Sequence, residues 1–136
     1  MAEAYSRGLK QIAKIDPESG AAFVEDLKKI SPDFAEFFVG FAFGKIHSRT
    51  VLDPKCKELI AVANLVAISD GKEHLRLRIE AAFRAGCTKD EVIEVIIQSV
   101  VHIGFTKALI ALHLVKEVSE ENLIARRDSD TGLAIA

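Results

Sequence analysis

The sequence predicts an all-α fold, on three observations. Apolar residues recur at steps of three and four along most of the chain. Proline follows Asp or Ser at three points where a helix can begin, Asp16-Pro17, Ser31-Pro32 and Asp53-Pro54. Thr88 and Glu91 have capping-box spacing, in which each side chain satisfies the other's free backbone amide.

From the N-terminus, these marks predict helices over 3–14, 18–29, 32–47, 54–68, 72–85, 89–102 and 105–121. Asp16, Ser31 and Asp53 are read as N-caps with Pro at the first helical position. Gly86 suits the left-handed cap that closes the fifth helix just before the capping box of the sixth. The stretch from Val92 to Ile103 is rich in Val and Ile, which favour strands. Its apolar residues nevertheless fall in steps of three and four, so it reads as helix. Periodicity fades after about 124, and 125–136 is expected to be a loose tail behind a single domain spanning 1–124.

Two segments are apolar nearly all round. Leu59 to Ile68 is interrupted only by Asn64, and Phe105 to Val118 carries nine apolar residues in fourteen. A helix apolar on every side must be covered on every side, and a domain of 136 residues has few fully central helices. These two helices are therefore expected to face other subunits.

The 136 residues suit one domain, and the apolar fraction of 49% is enough for a core. A net charge of −2 argues against a nucleic-acid partner. No uncharged apolar run approaches the roughly 18 residues of a membrane span. The N-terminal MAEAYSRGLK lacks the apolar region of a secretory signal, so a cytoplasmic protein is expected. Cys56 and Cys87 are too far apart for a CxxC redox pair or a zinc spacing, and read as reduced thiols. There is no HExxH, HxH or Cys/His cluster, no GxGxxG, no P-loop and no GxSxG, so neither a metal nor a cofactor is indicated.

The order and spacing of several short marks carry a family resemblance. They are Leu52-Asp53, Lys57-Glu58-Leu59-Ile60, Leu75-Arg76, Ala81-Ala82-Phe83-Arg84-Ala85-Gly86, Thr88 to Val95 and Gly104-Phe105. From Leu52 to Val118 the chain resembles the core of the carboxymuconolactone decarboxylase family. The resemblance implies a compact all-α fold of the alkylhydroperoxidase D-like type, with a central helical hairpin, assembled as a trimer or hexamer. One branch of the family decarboxylates 4-carboxymuconolactone; another uses a CxxC pair with Glu and His for thiol redox chemistry. Arg78 stands where the family usually has His, Gly71 and His74 stand where the redox branch has its cysteines, and His102 replaces a usual Tyr.

Glu58 matches the glutamate of the family's Glu-Leu motif and reads equally as a buried proton donor or acceptor and as an exposed first-turn carboxylate favoured by the helix dipole. His74 and Arg78 lie one turn apart, where Arg78 can grip a carboxylate and His74 can supply a proton near neutral pH. Arg76, Glu80 and Arg84 read as a solvated charge ladder. Glu94, Gln98 and His102 step by four along one line, which lines a cavity or is a wet face, and His102 suits a helix C-terminus equally well.

The expected catalytic residues are thus Glu58, His74, Arg78 and His102, with Arg78 and Gln98 binding substrate. The leading expectation is a decarboxylase-like enzyme for a small organic acid or lactone carboxylate. A thiol peroxidase relative and a non-catalytic oligomeric binding protein are the alternatives.

Overall fold

The computed structural model describes residues 1–68 and 71–131, and every secondary-structure element within them is helical. The elements are α1 (Ala2–Ile15), α2 (Gly20–Ile30), α3 (Pro32–Phe37), which continues as a π-helix (Phe38–His47), α4 (Pro54–Ile68), α5 (Lys72–Arg84), α6 (Lys89–Ile103) and α7 (Phe105–Thr131). None of the described helices is long and apolar enough to cross a membrane. The chain divides into two compact units, Met1–Lys57 and Glu58–Ala136.

In the first unit, α1 buries Ala4, Gly8 and Ile12, a four-residue stripe along one face. That face packs on the π-helix closely enough to need glycine on both sides. A Cβ at Gly8 would collide with the Val39 carbonyl, and one at Gly44 with the Ala4 carbonyl. Ile12, Val24, Val39 and Phe43 form the core, with Tyr5, Ile15, Phe38 and Ala42 packed around it. The last turn of the π-helix is tied by cationic and hydroxyl donors. Arg7 Nε (3.0 Å) and Ser48 Oγ (2.6 Å) donate to the Gly44 carbonyl, and Lys57 Nζ to that of His47 (2.7 Å).

The second unit has its core in α4 to α7, where Val62, Val66, Leu75, Ile79, Ala82, Val92, Ile96, Ala111, Leu114, Val115 and Val118 pack together. The α6–α7 hairpin turns on Gly104 alone, at φ 83°, a conformation that favours glycine. Lys107 Nζ donates to the Ala67 carbonyl in the last turn of α4 (2.8 Å), and Arg76 bridges α5 to Glu121 and Glu117 of α7 at 2.7 and 3.2 Å.

Capping chemistry places most boundaries as expected. Ser31 Oγ accepts from the Phe34 amide, the capping box at Thr88 and Glu91 is complete, and Gly86 has φ 99°. Three boundaries differ. Asp16 does not begin α2 directly; its Oδ1 accepts from the Ser19 amide, so the side chain stabilises a turn and the helix starts at Gly20. The helix expected over 32–47 winds as α only to Phe37 and as π beyond it. The last helix runs to Thr131 rather than 121. Nothing beyond Val118 in its described part is buried, so the apolar pattern ends where the helix does not. Of the tail expected over 125–136, residues 132–136 lie outside the described residues.

Candidate active site

The site is built around α4. Asp53 caps it: the Cys56 amide donates to Asp53 Oδ1 at 2.8 Å, and Pro54 follows at the first helical position. This hydrogen bond, with a further one from the Cys56 side chain, holds the Asp53 carboxyl below its ordinary 3.8. The first inward turn then carries Glu58, which is 2% exposed and the one buried charged residue among those described. An exposed first-turn carboxylate is thereby ruled out. Glu58 shares a face with Val62 and Val66, so its carboxylate enters an apolar environment.

Arg78 meets it from α5. Its guanidinium Nη1 donates to Glu58 Oε2 at 3.3 Å, and its side chain is 25% exposed. Arg78 sits next to Ile79, which is fully buried, and two residues beyond Arg76, whose bridge to Glu117 and Glu121 pins α5 against α7. A carboxylate and a guanidinium are thus held together where water has little access, which strengthens each group's action on a third charge.

A second polar feature lies about 100° round α4, where Leu59 and Ala63 face α6. A groove of about 510 Å³ there is lined on the α6 side by Glu91, Glu94, Val95, Gln98, Ser99 and His102. The expected line of Glu94, Gln98 and His102 is therefore one side of an open groove and is solvent-exposed along its length, with Gln98 Nε2 donating to Glu94 Oε1 at 2.8 Å. Leu59, Ala63 and Ser99 also line this groove. Sequence reasoning missed them because small and apolar residues beside a core stripe carry no chemical mark.

The structure brings Glu58 and Arg78 together and sets Gln98 and His102 in the neighbouring groove. His74 is exposed near the start of α5 and joins neither. His113 lies apart on α7, with Nδ1 at 2.8 Å from the Leu109 carbonyl. Because a carbonyl only accepts, Nδ1 carries the proton. Cys56 is exposed, Cys87 is buried, and neither is in a disulfide. Among the described residues no group of three or more His, Cys, Asp or Glu side chains is placed to hold a metal ion. Arg84 pairs with Glu80 (3.8 Å) as the charge ladder predicts, while Arg76 reaches across to α7 instead.

An all-helical fold with this buried Glu-Leu motif agrees with what the family comparison finds. The model of the Carboxymuconolactone decarboxylase family matches residues 32–117, and the chain belongs to that family. The match begins at α3, earlier than the Leu52 at which the sequence marks begin. Among individual relatives, the chain is 30% identical over 122 residues to the 4-carboxymuconolactone decarboxylase of Acinetobacter baylyi, covering 89% of this chain and 90% of that protein.

Proposed function

We propose that this protein is a carboxy-lyase acting on a small organic acid of the lactone-carboxylate type. The observation that carries the reading is the buried Glu58–Arg78 pair on the family's Glu-Leu helix. In such a reaction the bond between the ring carbon and its carboxylate breaks and CO2 leaves. The electron pair is taken up by the conjugated lactone, and a proton is then added to carbon. Arg78 binds the substrate carboxylate and stabilises the charge that develops on the lactone. Glu58 is the group through which a proton from solvent reaches the carbon, with His102 and Gln98 positioning the ring from the adjoining groove. His74, exposed one turn before Arg78, lines neither the ion pair nor the groove and is the weakest member of the expected set.

The thiol peroxidase reading has no comparable support: Gly71 and His74 occupy the cysteine positions, and Cys87 is buried. Assembly of several copies, as a trimer or hexamer, belongs to the same proposal. Exposed apolar residues on α4 (Ile60, Ile68) and α7 (Phe105, Leu109, Ile110) supply surface for it.

The test is release of CO2 from 4-carboxymuconolactone and related lactone carboxylates, followed together with the ultraviolet absorbance of the product. Turnover supports the reading. Tight binding of a carboxylate without CO2 release indicates a non-catalytic binding protein instead.

A further inference from the structure

The first unit carries an aromatic face that its own fold does not cover. Phe34, Phe37 and Phe41 are 54%, 60% and 60% exposed. With Met1, Phe38, Ala42 and Lys45 they line a groove of about 440 Å³. The face extends through Phe38, whose ring stacks on Phe34 at 6.3 Å and meets Phe23, itself 50% exposed, edge-on at 6.0 Å.

The charges at its two ends are opposite. Asp33, Phe37, Phe41 and Lys45 follow one another at steps of four along α3 and the π-helix. An α-winding overshoots a full turn in four residues and the wider π-winding undershoots it, so the change of winding at Phe38 keeps these four near one line. Asp33 and Lys45 are both exposed and make no ion pair among the described residues.

We infer that this face binds the same face of a second copy, antiparallel, about a two-fold axis level with residue 39. The line is its own complement when reversed. Asp33 of each copy meets Lys45 of the other, and Phe37 of each meets Phe41 of the other. A two-fold contact requires this relation of a surface to itself.

The area suffices. A half-exposed phenylalanine presents about 100 Å². Four of them with Met1 give about 500 Å² of apolar surface per copy, near the largest patch a monomer usually exposes. Pairing two such faces buries about 1,000 Å² before any rim residue is counted, which is where specific interfaces begin. The inference takes from the proposed function only that copies associate. It concerns a different face from those of α4 and α7, and it stands or falls by mass rather than by turnover.

The experiment is sedimentation equilibrium of the full chain with three variants, Asp33→Lys, Lys45→Asp and the double exchange. Each single change sets like charges against each other twice per contact and is expected to weaken the association about tenfold. The double exchange restores opposite signs and is expected to return the affinity to within about threefold of the original, whereas a residue needed only for folding would not be rescued. Circular dichroism melts establish that each variant is folded. A variant that does not fold is replaced by Phe37→Ser with Phe41→Ser, which is expected to remove the same association step. The inference is overturned if the unaltered chain is monomeric at concentrations of about 100 μM, if the singles associate normally, or if the double exchange is no better than the singles. A monomer whose face is instead taken by another protein or a lipid surface falls under the first of these.

Discussion

Arg78 on α5 donates to Glu58 on α4 across 3.3 Å, joining the buried charged residue of the helix core to a cation twenty residues further along the chain. Removing one partner of a buried ion pair leaves the other's desolvation uncompensated, whereas neutralising it in place removes much of that cost. Arg78→Ala is therefore expected to destabilise the fold by about 2 kcal/mol, and Glu58→Gln by about 1 kcal/mol. Urea denaturation of both variants checks the order. A Glu58→Gln change that costs more than Arg78→Ala would show that Glu58 does not depend on the guanidinium.

The contact of α1 with the π-helix gives a sharper contrast. Alanine at Gly44 would put its Cβ into the Ala4 carbonyl, a backbone atom that cannot turn aside, and is expected to cost about 3 kcal/mol. Alanine at Gly40 would meet the Tyr5 amide nitrogen at 3.7 Å, an ordinary contact, and is expected to cost less than about 1 kcal/mol. Thermal melts of the two variants measure the difference directly, and equal losses would contradict this packing.

Asp53 makes the stability depend on pH. Its carboxyl is held below 3.8 by the Cys56 amide, so the folded chain takes up this proton less readily than the unfolded one. The contribution is complete above the unfolded value and fades as the pH falls through the lower folded value. Asp53→Asn is therefore expected to melt below the parent at pH 7, with the gap closing as the pH falls below about 4. A gap unchanged at pH 2 would mean that the carboxylate's charge plays no part in the cap.

The α6 capping box predicts a smaller, local loss. Thr88→Ala removes the acceptor for the Glu91 amide and is expected to cost about 1 kcal/mol, readable as a lower urea midpoint with an unchanged slope.

Much of the helical order was legible because it is written in caps. Ser31, Asp53 and Thr88 each satisfy an amide within three residues, so the sequence holds both halves of the interaction. Asp16 shows the limit of that local reading. The same residue type satisfies a turn amide equally well, and where the helix then starts depends on how Gly20 packs against Ile12. The π-winding after Phe37 goes with its close packing on α1, which no local pattern records, while α7 runs on past its last buried residue, Val118, with no apolar stripe to mark it.

The site followed the same division. Glu58 near a helix start satisfies both a dipole argument and a burial argument, and its burial in the folded chain, with Arg78 arriving from α5, decides between them. His74 shares Arg78's helical line yet lies one turn nearer the start of α5, where it remains exposed. Gln98 and His102 lie on one exposed line of α6, and the open groove beside them also needs Leu59 and Ala63 of α4.

The rate of CO2 release from 4-carboxymuconolactone, compared among the parent chain, Arg78→Ala and Glu58→Gln at saturating substrate, tests the central claim most directly. Turnover by the parent and a loss of about a hundredfold or more in each folded variant are the predicted results. Folded variants that release CO2 at the parent's rate would contradict the assignment of this buried pair to the chemistry.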